Sequence, residues 1–145
     1  MLKIMLNYDF LEALIFEDHE NHERANKIVN VIDESHFLYI PSYVLSVIMK
    51  KLSNYGYDTN IKFLENINMT TRIDYNINKP LFLSAYELFK SNDSFSFLDC
   101  ITINYMKSKE IKYIISFNEE LDQIKDIKRL YKLDEYNSNS LNFRN

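Results

Sequence analysis

Two kinds of segment alternate along the chain. Short apolar runs stand at "LKIML" (residues 2–6), "HFLYIP" (36–41), "KYIISF" (112–117) and "IKRLYKL" (127–133), and a β-branched stretch at "MTTRIDYN" (69–76). Each has the length of a buried strand. Between them apolar side chains recur at helical spacing. Asp9 is placed to cap "FLEALIF", and "NHERANKIVNVIDE" puts Ala25, Ile28, Val29 and Ile32 on one face with charges opposite. Ser42 opens a helix through "YVLSVIMKKL" that Gly56 closes off, "NIKFLENI" is a short helix, and "KPLFLSAYELFKS" carries Pro80 in its first turn. "SFSFLDCITINYMKSKE" is the last helix.

Short, mostly apolar strands that alternate with helices predict an α/β fold: a parallel sheet covered on both faces, in three α/β/α layers. At 145 residues, nearly half of them hydrophobic, the chain makes one domain with a sizeable core, placed at residues 1–132, followed by a polar tail at 133–145 in which Leu141 and Phe143 are the apolar exceptions. A single cysteine, Cys100, excludes an internal disulfide and fits a reduced, cytoplasmic setting. The opening "MLKIMLNYDF" is too short in its apolar run for a signal peptide or a membrane span, so no membrane association is expected. The one glycine, Gly56, excludes a Walker loop and a dinucleotide fingerprint, both of which need several. A net charge of −4 argues against gripping nucleic acid by bulk positive charge and leaves room for a local basic surface.

Open parallel sheets hold ligands beyond the carboxyl ends of their strands. That rule selects Asn7, Tyr8 and Asp9 after the first strand, Pro41 and Ser42 after the second, and Ser116 to Glu120 after "KYIISF". Asp99 lies near the start of the preceding helix, where unpaired N–H groups favour a carboxylate.

In this order the elements resemble the PIN domain, the fold of VapC-type toxins and other metal-dependent endoribonucleases. "SFLDCITINYMKSKEIKYIISFNEELDQI" is similar to that family's acid-bearing helix and strand, "IPSYVLSVIMKKL" to its middle helix, and "LNYDFLEALIFEDHENHERA" to its first strand and helical hairpin. The resemblance spans roughly residues 2–132 and implies a strand order of 3-2-1-4-5. It also implies an acidic cluster holding Mg2+ or Mn2+, single-stranded RNA as substrate, a homodimer, and an antitoxin-like protein partner. Hard cations need anionic oxygens, and the metal activates water and offsets charge on the phosphate. Carried over by position, the four acids fall on Asn7, Val47, Asp99 and Asn118, so one of the four stays acidic. No Asp or Glu occurs between Glu34 and Asp58, and a small shift in alignment restores nothing at Val47. Asp9, where relatives carry an amide, and Glu120 are the available substitutes, and with Asp99 they form the expected metal set. Ser42 and Ser116 are the residues placed to position a phosphate or water.

Three readings stay open at this level. The cluster is degraded and the protein lacks or has much reduced nuclease activity; or the cluster is rebuilt from Asp9, Asp99 and Glu120; or the domain is a dimeric protein-binding module, which apolar surface on the hairpin of residues 10–33 would support. Asp9 is equally an N-cap, and Asp99 equally a helix-start carboxylate. In "HENHE", His19 and His22 have metal-ligand spacing with Asp18 or Glu23, against a polar helix start, the preferred reading. Cys100 is expected as a buried structural thiol. Lys50, Lys51 and Lys62 are candidates to flank the cleft, while Lys107, Lys109, Lys112, Lys125, Lys128 and Arg129 gather late in the chain.

Overall fold

A computed structural model describes residues 2–33, 36–74 and 77–133. The five strands are β1 (Leu2–Leu6), β2 (His36–Pro41), β3 (Arg72–Asp74), β4 (Tyr113–Ile115) and β5 (Lys128–Leu130). Around them lie α1 (Tyr8–Ile15), α2 (His22–Val29), α3 (Ser42–Leu52), α4 (Tyr57–Thr70), α5 (Lys79–Ser91) and α6 (Phe97–Ser108), with 3-10 helices at Ser53–Tyr55 and Glu119–Gln123. Every strand pair is parallel, and the order is β3-β2-β1-β4-β5. The expected α/β class and strand order are therefore those of the molecule.

Alternation along the central strands divides the core. Ile4 and Leu6 of β1 and Ile115 of β4 face one side, where Phe10, Leu11, Ala25, Val44 and Ile48 from α1, α2 and α3 cover them. Met5 and Ile114 face the other side, against Leu81, Ala85, Ile103 and Met106 of α5 and α6. A period of two in β1 and β4 thus produces both layers of helices.

Local chemistry sets the helix ends that matter here. Ser96 caps α6 in a capping box: its hydroxyl accepts from the Asp99 amide at 3.1 Å, and the Asp99 carboxylate accepts from the Ser96 amide at 3.2 Å. At its other end α6 closes with Ile111 N–H bonded to the Met106 carbonyl at 2.8 Å and Glu110 N–H to the Lys107 carbonyl at 3.2 Å. This six-to-one and five-to-two pattern needs a left-handed residue, and Glu110 fills it at φ 55° in a sequence with almost no glycine. Asn78 caps α5 by accepting from the Leu81 amide. Gly56 sits at φ 92°, where the chain turns from the 3-10 helix into α4.

Several boundaries depart from the sequence reading. Asp9 does not cap α1; Asn7 occupies that position and Asp9 lies in the first turn. Pro41 rather than Ser42 precedes the first turn of α3. The α4 helix runs on to Thr70, past "NIKFLENI", so β3 is three residues long instead of spanning "MTTRIDYN". Of that stretch Tyr75 and Asn76, and of the polar tail everything from 134, including Leu141 and Phe143, lie outside the described residues. No helix among the described residues is long and apolar enough to cross a membrane.

Candidate functional site

The parallel pairing of β1 with β4 brings their carboxyl ends together: the Asn7 amide donates to the Ile115 carbonyl at 3.1 Å. Four of the expected site residues meet there, at the buried hydroxyl of Ser116. Its oxygen accepts from the Asn7 side-chain amide at 3.0 Å and from the Asn118 backbone N–H at 3.1 Å. Its proton is shared between the two Asp9 oxygens at 2.9 and 3.0 Å. One donor and two acceptor positions exhaust what a serine hydroxyl offers. Asp9 also accepts from Phe117 N–H at 2.7 Å and from Phe10 N–H at 2.9 Å. The carboxylate thereby ties the start of α1 to the loop after β4.

Burial pushes the Asp9 carboxyl above its usual range, the bonds from Phe117, Ser116 and Phe10 pull it back, and the charge of Asp99 adds to the rise. Asp99 is thus at the same edge, felt electrostatically, without a hydrogen bond to the Ser116 network. Asp99 bears likewise on Tyr43, whose phenol is pushed up chiefly by burial and bonds Thr102 Oγ1 at 3.0 Å. One face of α3 looks over this region. Tyr43 stands at one end, and at the other Lys51 bonds Glu12 of α1 at 2.9 Å and lies 4.9 Å from the centre of the Tyr8 ring. Val47 is one turn from each, on the same face.

The remaining expected residues fall outside the network. Ser42 begins α3, and its carbonyl accepts from the Ser46 hydroxyl. Glu120 is exposed in the 3-10 helix and bonds the Gln123 side chain, while the Asn118 side chain caps that helix through the Glu120 amide at 3.1 Å. His22 stitches the α1–α2 hairpin, with Nδ1 on the Ala13 carbonyl at 2.8 Å and Nε2 on Asn26 at 2.9 Å. His19 accepts from the Asn21 amide. Both histidines serve as hairpin polar contacts. Cys100 is fully buried.

Arg129, which the sequence groups with the surface cations, is instead buried. It pairs with Asp122 through two bonds of 3.0 and 2.8 Å and donates to the Ser116 carbonyl at 3.2 Å, which braces the site loop from behind. Alternation in "IKRLYKL" places Arg129 on the strand face opposite Lys128 and Leu130, and a buried arginine there requires a partner.

A divalent cation fits this donor set poorly. Both Asp9 oxygens are given to protein donors, Asp99 gives one of its two to the Ser96 amide, Asn118 gives its amide oxygen to Glu120, and Val47 offers none. Among the described residues no three His, Cys, Asp or Glu side chains come together as a group able to hold a metal ion.

The family profile of the PIN domain matches residues 10–127. The chain belongs to the PIN-domain family. Among solved structures it is similar to the Mycobacterium tuberculosis toxin VapC20, described as cleaving the sarcin-ricin loop, with 17% identity, a TM-score of 0.71 and coverage of 86% of this chain and 96% of that one. VapBC2 of Rickettsia felis, solved bound to a DNA fragment from its promoter, gives 13% identity, a TM-score of 0.67 and coverage of 88% and 97%. DNA-bound VapBC of Salmonella typhimurium gives 18%, 0.63, and 89% and 97%. No curated protein matches the chain. The chain thus shares its PIN-domain fold with those VapC and VapBC structures.

Proposed function

We propose that this is a PIN domain with lost or much reduced metal-dependent nuclease activity, kept in the cytoplasm as a binding or assembly module. The observation that carries the reading is the closed network on Ser116: the Asp9 carboxylate, the acid nearest the end of β1, is occupied by three donors, and Ser116 has no lone pair left. Val47 supports it by placing an isopropyl group on the α3 face between Tyr43 and Lys51. Affinity in oxygen sites follows the number of charged ligands, so a cluster reduced to Asp99 and a spoken-for Asp9 binds Mg2+ or Mn2+ weakly. Calorimetric titration with Mn2+ is expected to give no binding up to millimolar metal, for the protein and for Asp99→Asn alike. Micromolar binding lost in Asp99→Asn, together with cleavage of single-stranded RNA, would establish the second reading. That alternative is an active ribonuclease using Asp9, Asp99 and Glu120, and the Asp99 charge felt at Asp9 is what favours it.

Partners follow from the same relatives. Toxin–antitoxin complexes stand among the similar structures, so an antitoxin-like protein is the proposed partner. For a homodimer, the exposed apolar surface is not on the hairpin of residues 10–33. On α5, Phe82, Leu83, Tyr86 and Phe89 are each between 43% and 48% exposed on one face. The Phe97 ring meets Phe82 and Phe89 edge-on beneath them at 5.3 and 5.6 Å. Sedimentation velocity is expected to find a dimer that Tyr86→Glu with Phe89→Glu converts to monomer; a monomeric parent protein would remove α5 as an interface.

A further inference from the structure

The late lysines do not surround the candidate site. They lie at the opposite edge of the sheet, because α6 runs back from the carboxyl ends of the strands and delivers Lys107 and Lys109 to their amino ends. Register does the rest: Ile4, Tyr113 and Lys128 stand level on β1, β4 and β5, so Lys3 and Lys112 each precede that row by one residue. The Lys128 amide bonds the Lys112 carbonyl at 2.8 Å, Lys3 Nζ reaches the Lys109 carbonyl at 3.3 Å, and Lys125 enters from the link before β5. The acids near these lysines are Glu110, Asp126 and Asp33, of which Asp33 stands three residues before β2 at the same edge. Lys109 reaches away to Asp74, the final residue of β3, at 3.4 Å, where Asp74 also accepts from the Tyr105 hydroxyl at 2.8 Å. The amino edge is therefore net positive on a chain of charge −4. The carboxyl edge carries Asp9, Asp99, Glu119 and Glu120.

Two clefts open on either side of Lys107. One, of about 540 Å³, is lined by Asn78, Ser84, Asn104, Ser108 and Lys109. The other, of about 520 Å³, is lined by Met106, Ile111 and Ile127 together with Lys107, Lys112, Glu110 and Asp126. Lys107, Lys112 and Lys125 are exposed and enter none of the ion pairs among the described residues.

We infer that this amino edge is a binding surface for single-stranded RNA, separate from the candidate site and independent of whether that site is active. Spaced ammonium groups neutralise successive phosphates, the amide and hydroxyl groups of the polar cleft suit ribose hydroxyls, and the apolar cleft takes the face of a base. An acidic peptide would use the lysines and leave both clefts without a role. The acidic carboxyl edge repels a phosphate backbone, which leaves the amino edge as the favourable approach.

Fluorescence anisotropy with a fluorescein-labelled oligouridylate in EDTA tests this on the whole protein. The triple variant Lys107→Glu/Lys112→Glu/Lys125→Glu is expected to bind about tenfold or more weakly, and to flatten the slope of log affinity against log salt by about 2 between about 50 and 200 mM, the loss of three single-strand phosphate contacts. Its circular dichroism melt should match the parent's, since these side chains are exposed. A second triple, Lys27→Glu/Lys90→Glu/Lys132→Glu, changes net charge equally on other surfaces and should leave affinity in place. The inference is overturned by an equal loss in that control, by no binding of the parent protein at low salt, or by polyglutamate or duplex DNA displacing the RNA as well as unlabelled RNA does.

Discussion

Asp122→Ala is expected to lower unfolding free energy by about 2–4 kcal/mol, because it strands the Arg129 guanidinium inside the protein without its counter-charge. Arg129 cannot shed its proton to escape, and its side chain is 3% exposed against 50% for Asp122. That asymmetry sets the magnitude. The exposed carboxylate returns to water when its partner is lost, so the penalty falls on Arg129, and solvent reaching it past the shortened side chain keeps the loss below that of a fully buried pair. The consequence extends to the site, since the same guanidinium holds the Ser116 carbonyl. Urea unfolding followed by circular dichroism checks the stability, and Arg129→Met combined with Asp122→Ala should recover a large part of the loss, because no unpaired charge remains. If Asp122→Ala is as stable as the parent protein, or the double variant is the weaker of the two, the pair is not what braces the loop.

The parts of the fold legible from sequence were those that local pattern specifies. The apolar runs at β1 and β2, the alternation of strands with helices, and the Asp99 carboxylate near the start of α6 all act within a few residues. The boundary at β3 was misread for a physical reason. Thr70 and Thr71 look like strand residues, yet their hydroxyls donate to the Asn66 and Ile67 carbonyls at 2.7 and 2.6 Å, which lets β-branched side chains finish α4. The 3-10 helix at Glu119–Gln123 is too short to show a period. At the site, residue positions were legible and their relations were not. Asn7 and Asp9 reach Ser116 across more than a hundred residues, and periodicity carries no information about which carboxylate oxygen will be consumed there. Glu120 looked available as a ligand because sequence does not reveal that it turns to Gln123.

Asp9 is the residue whose replacement distinguishes a structural carboxylate from a latent ligand. Asp9→Ala removes the acceptor of Phe117 N–H, Ser116 O–H and Phe10 N–H together, and is expected to destabilise by about 2–3 kcal/mol at neutral pH, less than three lost acceptors imply because a desolvated charge disappears with them. Asp9→Asn keeps one acceptor oxygen but turns its NH2 toward either Phe117 N–H or Phe10 N–H, so it should cost about 1–2 kcal/mol, less than Asp9→Ala. The pH dependence then has a definite sign. A carboxyl raised above 3.8 in the folded state holds its proton more tightly there than in the unfolded chain. Its contribution to stability therefore grows as pH falls through the folded value toward 3.8, and is lost as pH rises back through that window. Other carboxylates titrate alike in both proteins, so the difference in unfolding free energy between the parent and Asp9→Asn isolates Asp9: the parent should gain on the variant in acid. The reverse trend would mean a depressed carboxyl, the signature of a group stabilised in its charged form, as a metal ligand is. Repeating the series with millimolar Mn2+ sharpens the distinction. A structural Asp9 leaves the curve where it was, whereas a ligand lets the metal hold the charged form and turns the acid gain into an acid loss.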